Sequence, residues 1–136
     1  MLDRDGMVTG VETATATATV LVVEDEPLVR MMVCELLDDA GYRVEEAESG
    51  DEADALIAAG LHPDILLTDI RMPGTLDGFD LIRRTVARLP RVKTIAMSGY
   101  TGVSGDARIA DRFLSKPFRP TELQREVAEL LAARAG

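Results

Sequence analysis

The chain alternates short apolar runs with longer stretches in which apolar residues repeat at helical spacing. Residues 20–23 form the first apolar run, and residues 27–40 follow with the helical pattern. Apolar residues at positions i, i+3, i+4 and i+7 share one face of an α-helix. The run therefore predicts a strand. The longer stretch predicts an amphipathic helix whose apolar face contains Val29, Met32, Val33, Leu36, Leu37 and Ala40.

The same strand-then-helix unit recurs to the end of the chain. Gly41 ends the first helix, and Ser49 with Glu52 forms a capping box that opens a second helix. Further strands are predicted at residues 42–47, 64–69, 93–98 and 112–115, and further helices at residues 50–59, 78–89 and 120–133. Such alternation predicts an α/β fold, a doubly wound (βα)5 parallel sheet of five strands with helices on both faces.

Polar side chains follow the apolar runs where four of the predicted strands end. These side chains are Glu24 and Asp25 after the first strand, Asp69 after the third, Ser98 after the fourth, and Ser115 with Lys116 after the fifth. The carboxyl ends of parallel strands meet at one edge of the sheet, where α/β proteins bind ligands. Two carboxylates about 4 Å apart repel by roughly 4 kcal/mol at an effective dielectric constant of 20, so three of them call for a cation.

Mg²⁺ suits this edge because it takes oxygen ligands and commonly combines one or two carboxylates with phosphate oxygens. A lysine and a serine hydroxyl can bind the remaining oxygens of a phosphoryl group. Taken singly, Asp69 is also typical of a turn, and Glu24 with Asp25 of a solvated helix start. Their joint placement favours a phosphoryl site. Glu26 is expected in the first turn of the helix, facing solvent.

Charge and length exclude several classes of protein. A net charge of −9 over 136 residues argues against nucleic-acid binding, which needs a basic patch, and the length suits one domain. No apolar stretch approaches the roughly 20 residues that cross a bilayer, and the first ten residues do not resemble a signal peptide, so no membrane association and a cytoplasmic location are expected. The single cysteine, Cys34, is expected to pack in the core.

Four motifs in this order, "VLVVEDEP", "ILLTDIRMPG", the Ser of "TIAMSGY" and the Lys of "FLSKPF", resemble the receiver domain of two-component response regulators. The resemblance covers residues 19–133 and implies the flavodoxin-like strand order 2-1-3-4-5. It also implies that Asp69 accepts a phosphoryl group. Mg²⁺ would be bound by Asp25 directly, by Glu24 directly or through water, by Asp69, and by the main-chain carbonyl of Arg71.

Three more positions match residues that bind the phosphoryl group or act as switches in this family. Ser98 would move to hydrogen-bond the phosphoryl group, Lys116 would pair with it, and Phe113 occupies the aromatic switch position. The resemblance implies a histidine kinase or a histidine phosphotransfer protein as donor, an unknown downstream protein as target, and a monomer or weak homodimer. In this family the bond between the lysine and the following proline is usually cis.

Two stretches depart from the family pattern. The loop "MPGTLDGF" is one residue longer than the commonest form, and the stretch between Ser98 and Lys116 is several residues shorter than usual. The fourth helix is therefore expected to be shortened, and the family's output face cannot be carried over. Residues 100–111 are predicted to be mobile until phosphorylation or partner binding orders them.

The chain's ends and the competing functions complete the prediction. Residues 1–18 are expected to form a flexible tail and residues 19–136 the receiver domain, in a regulator of the stand-alone type without an output domain. A haloacid-dehalogenase-type phosphatase would need a second aspartate where Arg71 lies, and a flavodoxin-like cofactor site would need Gly, Ser or Thr after the first strand. The remaining alternative is a receiver-shaped interaction module that is not phosphorylated in the cell.

Overall fold

A computed structural model describes residues 17–99 and 109–135 of the chain. The strands are β1 (Thr19–Val23), β2 (Arg43–Ala47), β3 (Ile65–Asp69), β4 (Lys93–Ser98) and β5 (Arg112–Ser115). The helices are α1 (Pro27–Asp39), α2 (Gly50–Ala58), α3 (Gly78–Arg88) and α4 (Pro120–Ala135). All strand pairs are parallel, and the strand order is β2-β1-β3-β4-β5. The predicted fold class and strand order are confirmed.

The two faces of the sheet carry separate apolar cores because successive side chains of a strand point to opposite faces. In β1, Val20 and Val22 belong to one core, which includes Val33 of α1 and Leu123 of α4. Leu21 and Val23 belong to the other core, which is completed by apolar side chains of α2 and α3, Ala53, Ile57, Leu81 and Ile82. The strands β1, β3 and β4 are buried almost throughout. Helices thus cover both faces of the sheet.

The helix boundaries follow the predicted caps. Gly41 has a φ angle of +98°, a conformation that favours glycine, and the N–H of Tyr42 reaches back to the carbonyl of Leu37 at 3.2 Å. The Ser49 hydroxyl accepts the N–H of Glu52 at 3.0 Å, as predicted for the start of α2. The Glu52 carboxylate accepts the N–H of Glu48 at 2.7 Å, one residue before the position of a standard capping box.

Three positions of the first helix differ from the prediction, and one of them is Ala40, which was expected on the apolar face but is exposed as the C-cap residue. Met32 was expected on the buried face but is 45% exposed, because the stripe that reaches the sheet is narrow and its buried members are Val33 and Leu37. Glu26 is exposed as predicted, but it is the N-cap residue and has an extended backbone. The helix therefore begins at Pro27, whose missing N–H is not needed at that position.

Several predictions concern residues outside the described ranges. The shortened fourth helix and most of the segment predicted to be mobile, residues 100–111, fall there, as does nearly all of the N-terminal tail. Within residues 17–99 and 109–135, no helix has the length and apolar character needed to cross a membrane.

Cys34 is a residue of α1 that packs against the core. It is expected to react slowly with alkylating agents. Partial burial, with a smaller contribution from the charge of Glu46, raises the pKa of its thiol to about 11. Since the thiolate is the reactive form, a rise of about two pKa units leaves roughly 100-fold less of it at pH 8 than in the unfolded chain. Iodoacetamide labelling of folded and urea-unfolded protein measures this difference, and equal rates would contradict it.

Candidate functional site

Two acidic residues follow directly after β1. Glu24 is fully buried, and its Oε1 accepts a hydrogen bond from Lys116 Nζ at 2.7 Å while its Oε2 accepts the N–H of Glu26 at 3.1 Å. Its own N–H donates to the carbonyl of Ala47 in β2 at 3.1 Å. Asp25, the next residue, is partly exposed. A buried carboxylate is costly unless it is paired, so the bond to the lysine is what allows Glu24 to lie in the interior.

Asp69 ends β3 on the same edge of the sheet. It is 9% exposed, and its Oδ1 accepts the N–H of Ile70 at 2.9 Å. Its Oδ2 accepts a hydrogen bond from Lys116 Nζ at 3.0 Å. A Cβ atom at Gly78, the first residue of α3, would clash with the Asp69 carbonyl oxygen, so only glycine allows α3 to start this close to the Asp69 main chain. Asp69 also lines the cavity described below.

Lys116 reaches the site from the end of β5 and joins two carboxylates. Its backbone N–H donates to the carbonyl of Ser98 at 2.7 Å, which continues the pairing of β4 with β5. The peptide bond between Lys116 and Pro117 is cis, as the resemblance implies. Burial lowers the pKa of Lys116, but the hydrogen bonds and negative charges of Glu24 and Asp69 outweigh it, so the pKa lies above its ordinary value. The lysine is therefore a fixed cation between the two acids.

The three predicted carboxylate ligands come together. One oxygen from each of Glu24, Asp25 and Asp69 lies within 4.8 Å of the others; Glu24 is fully buried, Asp69 is 9% exposed and Asp25 is partly exposed. Oxygen donors at that spacing suit a hard divalent cation such as Mg²⁺. The donor set at this edge therefore fits the metal that the sequence predicts.

A small cavity opens beside these acids. It has a volume of about 210 Å³ and is lined by Asp69, Ile70, Arg71, Ser98, Gly99 and Lys116. Four of the predicted site residues thus face one space, and Ser98, at 8% exposure, forms part of its wall. The space is large enough for a tetrahedral anion together with several waters.

Phe113 lies apart from the cavity lining. It is in β5 opposite Ala96 of β4, and its half-buried ring packs against the core on the α2 and α3 side of the sheet. The structure therefore places Phe113 on the strand that leads to Lys116. It is not among the residues that line the cavity.

The motifs did not predict a role for Arg30, a residue of α1 that supports the site. Its NH1 donates to the main-chain carbonyl of Glu24 at 2.7 Å, and its Nε pairs with Glu46 of β2 at 3.0 Å. The contact fixes the backbone at the point where the acidic residues begin. A usable signal was that Arg30 is the one cationic residue within α1, the helix that follows the acidic end of β1.

Comparison with known proteins assigns this architecture to a family. The family model described as response regulator receiver domain matches residues 20–128. Sensor kinase CckA of Brucella abortus is 40% identical over 122 residues, which are 85% of this chain and 13% of that protein. Transcriptional regulatory protein ResD of Bacillus subtilis is 37% identical over 119 residues, which are 82% of this chain and 47% of that protein. The chain spans less than half of either curated relative.

Solved structures agree with the sequence matches. Response regulator TrrA of Thermotoga maritima, in complex with Mg²⁺-BeF, is 31% identical with a TM-score of 0.76, covering 84% of this chain and 99% of that one. Chemotaxis protein CheY4 of Vibrio cholerae is also 31% identical with a TM-score of 0.76, covering 85% of this chain and 99% of that one. The fold, the order of the motifs and these matches together show that the chain belongs to the response regulator receiver domain family.

Proposed function

We propose that Asp69 accepts a phosphoryl group from a phosphohistidine on a histidine kinase or a histidine phosphotransfer protein. The observation that carries this proposal is the meeting of Glu24, Asp25 and Asp69 around one edge of the sheet, with Lys116 bonded to two of them. An aspartate carboxylate is an established covalent acceptor of phosphoryl groups. Membership of the receiver family supports the same chemistry, and the domain that carries it would be residues 19–136.

The proposed transfer is a single displacement at phosphorus. An Asp69 carboxylate oxygen forms a bond to phosphorus as the bond from phosphorus to the donor nitrogen breaks. The electron pair of that bond leaves with the donor imidazole, which takes up a proton. Asp69 is suited to this step because its Oδ1 is held by the Ile70 N–H while the cavity admits the donor.

Mg²⁺ would be held by carboxylate oxygens of Asp25, Glu24 and Asp69 and by the main-chain carbonyl of Arg71. When bound, it supplies positive charge that stabilises the oxygens of the phosphoryl group in transit. The spacing of the three carboxylates and the Mg²⁺-BeF complex of the relative TrrA support this assignment. Because Lys116 already bonds one carboxylate oxygen of Glu24, this residue would bind the ion through the part of the carboxylate that the lysine leaves accessible, directly or through water.

The remaining negative charge of the phosphoryl group would be stabilised by hydrogen-bond donors of this chain. Lys116 would exchange its bond to Asp69 for one to a phosphoryl oxygen, and Ser98 would donate its hydroxyl to another. Phe113 lies in β5 two residues before Ser115, the partner of Ser98 in β4. It would respond to the movement of Ser98 on the neighbouring strand. The outcome would be an altered interaction surface for a downstream protein.

The first turns of α1 offer a surface for the phosphodonor. Leu28, Met31 and Met32 are 73%, 54% and 45% exposed, which is unusual for large apolar side chains of a folded domain. The helix begins two residues after Asp25, so this surface adjoins the site. Docking of a histidine-bearing helix here would bury these side chains and bring its phosphoryl group to Asp69.

Asp25→Ala is expected to weaken Mg²⁺ binding by at least about 10-fold and to slow phosphorylation by acetyl phosphate in parallel. Asp25 is the proposed ligand whose loss disturbs the fold least, because it is only partly buried. The two measurements are a calorimetric Mg²⁺ titration and the mass gain of the protein over time. Glu26→Ala removes the adjacent but exposed carboxylate and should match the wild type.

The outcomes separate the competing functions. Loss of labelling with unchanged Mg²⁺ affinity would contradict the ligand role of Asp25. A wild-type protein that gains no phosphoryl group with Mg²⁺ and acetyl phosphate would overturn the proposed function and favour the receiver-shaped interaction module that is not phosphorylated in the cell.

A further inference from the structure

The loop after Asp69, residues 70–77, is closed at its base by the backbone itself. The N–H of Gly78 donates to the carbonyl of Ile70 at 2.8 Å, and the N–H of Ile70 donates to the carbonyl of Met97 in β4 at 3.1 Å. Gly78 also lies directly against the Asp69 carbonyl. The residues between these points form the loop that the sequence predicts to be one residue longer than the commonest family form.

The tip of this loop contacts the first turn of α2. The N–H of Thr75 donates to Oδ2 of Asp51 at 3.0 Å. Gly74 has a φ angle of +111°, and a Cβ atom there would lie 2.9 Å from the same carboxylate oxygen. A Cβ atom at Gly50 would lie 2.6 Å from the carbonyl oxygen of Leu76. Glycines at both contacts thus let the loop and the helix approach each other at the distance of the hydrogen bond.

The contact is a charge-assisted bond at a favourable place. A carboxylate that accepts a backbone N–H makes a shorter and stronger bond than a neutral acceptor does. Asp51 also lies in the first turn of its helix, where the helix dipole stabilises negative charge. The side chain can therefore hold the loop tip while remaining accessible to solvent.

The loop connects Asp51 to the site because it contains Arg71. Arg71, near the base of the loop, lines the cavity together with Asp69 and Lys116. A segment held at its base by Gly78 and at its tip by Asp51 has fewer conformations than one held at its base alone. The position of the Arg71 carbonyl therefore depends on both attachments.

We propose that Asp51 is a positioning residue: by holding the tip of the loop through Thr75, it places the Arg71 carbonyl where Mg²⁺ would bind. This inference rests on the proposed function of the site. It deepens that function by assigning a role to a side chain of α2 that touches neither the metal nor the phosphoryl group.

The test compares three variants of the full chain. Asp51→Ala removes the acceptor of the Thr75 N–H, whereas Asp51→Asn removes the charge but keeps an acceptor oxygen. Asp54→Ala is the matched control, since Asp54 lies on the same helix, carries the same charge and pairs with Arg84 of α3 instead of the loop. Each variant is titrated with Mg²⁺, labelled with acetyl phosphate, and examined for hydrogen exchange at the Thr75 amide.

Asp51→Ala is expected to raise the Mg²⁺ dissociation constant by about 3- to 10-fold, the range that one hydrogen bond supplies, and to slow labelling by a similar factor. Its Thr75 amide should exchange faster than in the wild type. Asp54→Ala should stay within about twofold of the wild type because it leaves the bond to the loop intact. Asp51→Asn should fall between the wild type and Asp51→Ala, because its amide oxygen keeps the bond but not the charge that strengthens it.

Three results would overturn the inference. Wild-type Mg²⁺ affinity in Asp51→Ala would show that the tip contact does not reach the site. Equal effects of Asp51→Asn and Asp51→Ala would assign the effect to charge at a distance, and an equal effect of Asp54→Ala would assign it to general loosening of α2. Failure of the wild type to accept a phosphoryl group would sink the proposed function instead, and Mg²⁺ affinity with amide exchange would still decide the role of Asp51.

Discussion

Asp69→Ala is expected to abolish phosphorylation by acetyl phosphate, so that the variant keeps its unmodified mass while the wild type gains one phosphoryl group. The neighbouring carboxylates cannot take over the reaction. Glu24 is fully buried and bonded to Lys116, and Asp25 would be occupied as a metal ligand. Among the residues that the structure describes, only Asp69 combines a carboxylate in the cavity wall with a backbone hydrogen bond that fixes its orientation.

Intact-protein mass spectrometry after incubation with acetyl phosphate and Mg²⁺ measures the result. Asp39→Ala is a matched control because it removes an exposed aspartate at the end of α1, on the opposite edge of the sheet, and it should be labelled like the wild type. Thermal unfolding of both variants checks that the fold is kept. Full labelling of a folded Asp69→Ala protein would place the acceptor elsewhere.

The fold was predictable because its main determinants are local. A run such as residues 65–69 can only be buried on both faces as a central strand, and the pattern around Val33 and Leu37 can only cover such a sheet as a helix. The edge of the sheet that collects the acids follows from parallel pairing alone. The expectation about Met32 was wrong because periodicity defines a face but not how wide a stripe of that face reaches the sheet.

The site was predictable to the extent that its residues end strands. Glu24, Asp25, Asp69 and Lys116 meet because β1, β3 and β5 deliver them to one edge. The supporting contacts were not predictable. Arg30 bonds the Glu24 carbonyl, and the loop tip bonds α2. Each bond joins two segments that are brought together by tertiary packing, and the spacing of residues in the sequence does not predict such a contact.

Lys116→Met is expected to lower the free energy of unfolding by about 3 kcal/mol at neutral pH without Mg²⁺, the low end of the range for removing one partner of a buried ion pair. The lysine bonds both Glu24 and Asp69, and the Glu24 side chain is fully buried. Methionine keeps most of the apolar stem but leaves that carboxylate without a cation. The low end applies because the lysine side chain is 23% exposed, so water can enter in its place.

Neutral pH is the right condition because the pKa of Lys116 is raised above its ordinary value in the folded protein. The stabilisation from such a group is complete below the unfolded pKa and is lost only as the pH rises through the folded pKa. At neutral pH the full contribution of the lysine is therefore measured. Urea unfolding gives the free energy directly.

Three comparisons separate this charge effect from a loss of packing. Lys93→Met replaces the only other lysine, at the start of β4 on the opposite edge, and should change stability by less than about 0.5 kcal/mol. Adding Glu24→Gln to Lys116→Met removes the unpaired charge and should restore part of the loss, because the two residues are directly coupled. Mg²⁺ should stabilise Lys116→Met more than the wild type, since the cation would then meet carboxylates that no lysine neutralises. A Lys116→Met protein as stable as the wild type would mean that Glu24 needs no cation, which its complete burial argues against.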